Sequence, residues 1–199
     1  KDTILYNLGV EIDHVALVDF VGFEQIVDTL GGLDVPVYCS YRDWHVIDPN
    51  KDIEDEKNWE LYTVGPGVVH MDGDLALWYA RSRKKSSDFD RGRRQQELLR
   101  AIFDRTLSLD ILFKVPQLFD QFNQMVATDI QLNDAIALAP NVLDLNAAGI
   151  RSYYINTDYV EYWRSPAGAS LLLPHHQEIQ GLLEEALSPP EINEIDHMR

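Results

Sequence analysis

The sequence has 199 residues, enough to bury a sizeable core. Its 45% hydrophobic and 25% charged residues are the mixture of a globular domain, which excludes a disordered or collagen-like chain. No run approaches the roughly 18 apolar residues that a membrane span needs, and the single cysteine, Cys39, excludes an internal disulfide or a multi-cysteine metal site within these residues. The net charge of −16 opposes general nucleic-acid binding.

The chain opens on Lys1 rather than Met, with no signal-like stretch after it. It therefore reads as a piece of a longer protein whose anchors or targeting signals lie outside it. Ile12 to Phe20 is β-branched and apolar on both faces, the pattern of a central buried strand. From about Gly22, Phe23, Ile26, Val27 and Leu30 recur at helical spacing, and Gly31-Gly32 ends that helix. Leu33 to Ser40 predicts a second strand, pushed toward a sheet edge by Pro36. Strand, helix and strand of residues 11–40 are expected in one sheet. Residues 42–60 are acidic and read as an irregular surface excursion. Val64 to Met71 predicts a strand, with a Gly65-Pro66-Gly67 turn at its start, and Asp72 is placed to cap a short helix through Tyr79.

Beyond residue 88 a longer helix is expected to about Leu107, capped by Ser87 or Asp88 and burying Leu98, Leu99, Ile102 and Phe103. Further helices are expected near 115–125, 133–145 and 175–187, with an extended segment over 150–156. The aromatics between Tyr153 and Trp163 read as a packed satellite cluster. No repeat or low-complexity linker interrupts the chain, so a single domain is expected over 1–199, with a core over 11–112 and an extension over 113–199. The fold class expected is α/β: a layered α-β-α domain with a central mixed β-sheet and helices packed on it.

Charge is unevenly placed. Residues 81–105 hold 9 basic side chains against 4 acidic, whereas residues 1–80 hold 4 against 16 and residues 106–199 hold 4 against 13. A compact cationic spot on an anionic body suits a small, dense anion; the alternative is internal pairing with acidic neighbours. Arg91, Arg93 and Arg94 fall in the first turns of their helix, where the helix dipole disfavours cations and a bound anion would reverse the effect. Helical phase places Arg91 and Gln95 on the stripe of Leu98 and Ile102, facing a cleft. It sets Arg93 with Glu97 and Arg100 with Asp104 on the solvent face, and leaves Arg94 intermediate. Arg81 and Arg83, two apart, would point the same way from an extended segment. No HExxH, nucleophile elbow or Walker loop appears, and His175-His176 reads as a helix start after Pro174.

The run DGDLALWYARSR, followed by DFDRGRRQQELLRAI, resembles the hallmark of the LytR–CpsA–Psr family, and IDHVALVDFVGFEQIVDTLGGLDVPV upstream is similar to that family's strand and Gly-Gly turn. The resemblance is specific over residues 11–105 and loose over 106–199. It implies a phosphotransferase outside the cytoplasmic membrane, anchored through a segment outside this chain. Such an enzyme moves an anionic glycopolymer (teichoic acid, capsule or similar) from a polyprenyl pyrophosphate carrier to peptidoglycan. The pyrophosphate-binding set it implies comprises Arg81, Arg83, Arg91, Arg94 and Gln95, with Asp88 and Arg91 as the catalytic pair. Asp88 and Asp90 are open as base, arginine-orienting group or helix cap.

The family's early carboxylates for a divalent metal and its Pro-Arg-Asp motif have no match here. The Mg²⁺ that the resemblance implies would take its ligands upstream, no metal ligand is assigned within the chain, and the fragment alone is expected to be inactive. An exposed sheet edge could pair two copies. A non-catalytic pyrophosphate-lipid-binding module and a transcriptional attenuator remain as alternatives, the latter disfavoured by the charge.

Overall fold

The computed structural model describes residues 1–48, 52, 54–83, 86–108, 123, 125–143 and 151–188. The chain divides into two compact units, residues 1–150 and 151–199.

The first unit begins with helix α1 (Asp2–Leu8) and strand β1 (Ala16–Val18), which pairs antiparallel with β6 (Val126–Thr128). Asp129 fastens this corner. Its carboxylate accepts from the Val15 amide at 2.7 Å and from Lys1 Nζ at 2.8 Å, and these contacts lower its pKa to about 2. The expected long, buried strand over Ile12–Phe20 is thus three residues long and exposed, with Leu17 69% accessible. It stops because Asp19 takes the N-cap of helix α2 (Phe20–Thr29), its carboxylate accepting from the Gly22 amide at 2.7 Å. Ile26, Val27 and Leu30 of this helix are buried as the spacing predicts, and Gly31 and Gly32 both take positive φ.

Strand β2 (Leu33–Val37) follows, then β3 (Tyr41–Val46), a 3₁₀ turn at Glu56–Asn58, β4 (Trp59–Val64) and β5 (Gly67–Met71). β2 pairs with β5, from Leu33 opposite Met71 to Val37 opposite Gly67, and β3 pairs with β4, from Tyr41 opposite Val64 to Val46 opposite Trp59. The two ladders form one nested antiparallel ribbon, interrupted at residues 38–40 and 65–66. Within the expected irregular excursion over 42–60, the residues through Val46 and from Trp59 onward are therefore corrected to paired strands of this ribbon. The buried Asp43 disguised the alternation: its carboxylate sits among apolar residues because it accepts from Tyr41 Oη at 3.0 Å and from the Trp44 amide at 2.8 Å.

Helix α3 (Gly73–Arg81) is capped by Asp72, which accepts from the Leu75 amide at 2.9 Å, and is tied to α2 by Asp28, which accepts from the Gly73 amide at 2.8 Å. Helix α4 (Asp88–Ser108) starts at a Ser87 cap, whose hydroxyl accepts from the Asp90 amide at 3.1 Å. α2 packs on α3, and α4 packs on both α3 and β2. Leu33, Val35, Met71, Ala76, Tyr79, Leu98 and Ala101 meet in the core between them. Leu99, expected inside, is 65% accessible. Helix α5 (Leu132–Leu143) completes the described part of this unit; the helix expected at 115–125 falls almost wholly outside the described residues.

The second unit holds a 3₁₀ turn (Thr157–Tyr159), the hairpin β7 (Val160–Arg164) with β8 (Ser170–Pro174), and helix α6 (His176–Leu187), with His175 and His176 at its start. Tyr162 and Trp163 are exposed on the hairpin instead of packed in a cluster.

The α/β class holds, with helices packed on strands. In place of one mixed sheet, the described strands form four two-stranded antiparallel ladders, because β1 takes β6 and β2 takes β5 as partner. No described helix is long and apolar enough to cross a membrane.

The approach of α2 to α3 allows a direct check. A Cβ on Gly73 would lie 2.6 Å from the Glu24 carbonyl oxygen, whereas one on Gly92 of α4 meets nothing within 4 Å. Gly73→Ala is expected to destabilise the fold by about 1–3 kcal/mol, and Gly92→Ala to stabilise it by about 0.5–1 kcal/mol. Urea unfolding of both variants reads the two signs.

Candidate functional site

The arginine-rich segment forms the junction between α3 and α4. Its organiser is Arg94, which is fully buried. Its guanidinium donates to the carbonyls of Tyr79 and Ser82, to Ser86 Oγ at 3.1 Å and to Asp90 Oδ2 at 3.3 Å. It also lies over the ring of Tyr41, 4.1 Å from the centroid. Two of these acceptors are carbonyls at the C-terminal end of α3, which carries a partial negative charge. Arg94 therefore closes the 82–87 connection from inside.

Arg94, expected with the pyrophosphate-binding residues, is thus buried and ties the end of α3 to Ser86 and to the first turn of α4. The inward stripe of α4 runs through Arg94, Leu98 and Ala101, so Arg91 and Gln95 lie on its flank, and Gln95 is exposed. Arg93 and Glu97 pair as expected, but not on the solvent face. Glu97 is buried and also accepts from Tyr79 Oη at 2.8 Å, while Arg93 reaches Asp90 at 2.7 Å. Burial, and then the bond to Glu97, push the Tyr79 phenol far above its ordinary pKa.

Of the other expected site arginines, Arg81 and Arg83 are exposed and Arg91 is partly buried. Asp88 Oδ1 stands between Arg91, at 3.0 Å, and Arg83, at 3.8 Å. Gln95 Nε2 donates to the Ala80 carbonyl at 3.3 Å. Arg81, the last residue of α3, stacks over Phe20 at 3.8 Å from the centroid. The helix-dipole puzzle posed by three arginines in the first turns of α4 thus has an internal answer: Asp88 and Asp90 share those turns and pair with all three.

Arg81 and Arg83 line one cleft of about 760 Å³. The sequence reading missed its other walls. Trp44, His45 and Trp59 come from the β3–β4 ribbon, Glu24 from α2, and Asp74 and Trp78 from α3. His45 Nε2 lies 3.0 Å from Asp74, and Trp78 Nε1 donates to the Trp44 carbonyl at 2.7 Å. Burial raises the Glu24 pKa, Asp74 and Asp28 add to the shift, and Arg81 opposes it. Period-two alternation through Tyr41, Asp43 and His45 was the available signal for this wall. Among the described residues no group of three or more His, Cys, Asp or Glu side chains is arranged to hold a metal ion. No residue of this chain is assigned to the Mg²⁺ that the resemblance implies.

The LytR_cpsA_psr family model matches residues 1–186. The chain is 30% identical over 183 residues to the polyisoprenyl-teichoic acid–peptidoglycan teichoic acid transferase TagT of Bacillus subtilis (strain 168), covering 92% of this chain and 52% of TagT. It is 32% identical over 139 residues to TagV of the same strain, which carries the same transferase name, covering 69% of this chain and 33% of TagV. A solved structure of TagT bound to LIIa-WTA superposes with a TM-score of 0.66 at 28% identity, over 94% of this chain and 66% of that one. The chain thus spans about half of TagT and a third of TagV.

The α3–α4 junction has a pH signature. Burial works against the Asp90 charge, but Arg93 and Arg94 outweigh it and hold its pKa below the ordinary value. A depressed folded-state pKa stabilises the fold above the unfolded value of about 3.9, and that contribution is lost as pH falls through the folded value. Asp90→Asn is expected to lower stability at pH 7 and to flatten the acid limb of the stability–pH curve below about pH 4. Arg94→Met, which strands buried carbonyls, is expected to cost on the order of 3 kcal/mol. Chemical denaturation across pH measures both.

Proposed function

The chain belongs to the LytR–CpsA–Psr family, and on that premise we propose that it serves the transfer of an anionic glycopolymer from a polyprenyl pyrophosphate carrier to peptidoglycan. The place of action in this reading is the outer face of the cytoplasmic membrane. The observation that carries it is the pairing of Arg83 and Arg91 with the exposed Asp88, with Arg83 lining one cleft together with Arg81, at the junction that Arg94 clamps. The transferase names of TagT and TagV, and the TagT structure with LIIa-WTA, support the substrate class.

In this reading Arg81, Arg83 and Arg91 receive the pyrophosphate, whose oxygens match planar guanidinium forks better than ammonium groups. An acceptor hydroxyl attacks the sugar-side phosphorus, and its proton passes to solvent. The bond from that phosphorus to the bridging oxygen breaks, and polyprenyl phosphate leaves with the charge the arginines neutralise. Asp88, already paired with two of them, orients the forks and yields them to the ligand. Gln95 ties the α4 flank to the end of α3, and Arg94 fixes the backbone beneath. Asp90 stays paired with Arg93 and Arg94 and does not act as base in this reading.

Calorimetric titration with a polyprenyl-pyrophosphate disaccharide tests the assignment. Arg83→Ala and Arg91→Ala are each expected to weaken binding by about 10- to 150-fold, the equivalent of about 1.5–3 kcal/mol for a charge-assisted hydrogen bond. Arg100→Ala, further along α4, is expected to bind like the unaltered protein. Equal losses in all three variants would sink the assignment.

A further inference from the structure

The β7–β8 hairpin of the second unit is apolar and exposed on both faces. Every residue of β8 is exposed, as are Glu161 to Arg164 of β7. Residues directly opposite in an antiparallel ladder share a face. Tyr162 opposite Leu172 therefore belongs to one face, and Trp163 opposite Leu171, with Leu173 two positions on, to the other. Tyr162 is 69% accessible and Leu172 46%. A hairpin resting on its own domain hides apolar side chains on one face and shows polar ones on the other. This one shows large apolar side chains on each side, as a surface does that meets something else.

We propose that this hairpin is a membrane-contact element, which seats Trp163, Tyr162 and the three leucines in the headgroup region of a lipid bilayer. The transferase reading supplies the membrane; the contact goes beyond it. Two-sidedness favours a bilayer over a protein partner, because a folded partner or a second copy packs on one face, whereas a fluid interface surrounds both. Charge favours it too. No Asp or Glu lies between Glu161 and Glu178, in a chain with 33 acidic residues, and Arg164 falls within that interval. The hairpin can therefore approach anionic lipid headgroups, which repel acidic surfaces, and Arg164 adds attraction.

The tip is suited to a partly dry setting. Residues 165–169 are uncharged. The Ser165 amide donates to the Ala169 carbonyl and the Gly168 amide to the Ser165 carbonyl, both at 2.8 Å, and the Ala169 amide donates to Ser165 Oγ at 3.0 Å. These bonds occupy polar groups that a bilayer interface would otherwise strip of water. Tryptophan and tyrosine, each with an apolar body and a polar handle, are the side chains that favour the headgroup level.

Sedimentation of the whole 199-residue chain with vesicles of equal parts phosphatidylcholine and phosphatidylglycerol tests the contact. The chain is expected to bind. Trp163→Ser and Leu172→Ser, one on each face, are each expected to weaken partitioning about five- to tenfold, and the double variant to stay in the supernatant. Leu17→Ser, at an exposed leucine of β1 in the first unit, is expected to partition like the unaltered chain. Doxyl-labelled lipid is expected to quench part of the tryptophan emission. Trp163→Phe should still bind vesicles while losing that quenching, which a tryptophan with a merely structural role would not show.

Absence of vesicle binding, equal binding by the hairpin variants, or an equal loss in Leu17→Ser overturns the proposal. So does a dimer that the hairpin variants dissolve with vesicle binding unchanged, which assigns the hairpin to a second copy. Trp163-dependent binding of chitotetraose without vesicle binding overturns it as well, and assigns the hairpin to glycan. Titration with inorganic pyrophosphate keeps the two readings apart. Pyrophosphate binding without vesicle binding overturns the membrane contact alone, and vesicle binding without pyrophosphate binding overturns the transferase reading alone.

Discussion

The buried guanidinium of Arg94 is the constraint on which the α3–α4 junction depends. A fully desolvated cation is tolerable only when its donors are satisfied and an anion is near, and Arg94 meets both conditions through the Tyr79 and Ser82 carbonyls, Ser86 and Asp90. Those acceptors belong to the C-terminal end of one helix, the connection after it and the first turn of the next. One side chain therefore fixes the angle and spacing of two helices. Arg81 and Arg83 project from the end it clamps, and Arg91 stands on the helix it belongs to. Tyr41 under its guanidinium and Tyr79 beside it extend the same network into the β3 strand and the core.

This arrangement separates two uses of arginine that composition alone merges. Arg93 and Arg94 sit among carboxylates and carbonyls in partly or wholly dry surroundings, where their charge organises the fold. Arg83 and Arg91 share the exposed Asp88, whose grip is weak because water screens it. A ligand phosphate, carrying more charge than a carboxylate and able to receive several forks, can displace such a partner; it cannot displace the partners of Arg94.

Positioning of the cleft rests on close backbone approach. α2 and α3 come near enough at Glu24 and Gly73 that only glycine fits, and Asp28 of one helix caps the first amide of the other. The contact sets Glu24 and Phe20 of α2 against Arg81 of α3. On the far side, the nested ribbon brings Trp44 and Trp59 to the same wall although 15 positions separate them, because the register of β3 against β4 makes them diagonal neighbours.

Much of this was legible in the chain itself. The apolar spacing of α2, the Gly-Gly turn, the Asp72 cap and the limits of α4 are local properties, encoded in side-chain periodicity and in groups that satisfy the nearest amides. The clustering of positive charge over residues 81–105, and the family resemblance carried by the RSR and DFDRGRRQQ runs, pointed to the candidate site. Which arginine turns inward was not legible. Arg91 and Arg94 differ by under one helical turn, and the choice was made by Tyr79, Ser82 and Ser86, which are brought to Arg94 from another helix and its connecting loop. The aromatic wall was hidden for a related reason: Asp43 breaks the apolar pattern of its strand and becomes compatible with burial only when Tyr41 donates to it. Local periodicity thus determined the elements, whereas long-range partners decided which polar groups the interior accepts, since a buried charge is stable only where other parts of the chain supply its hydrogen bonds.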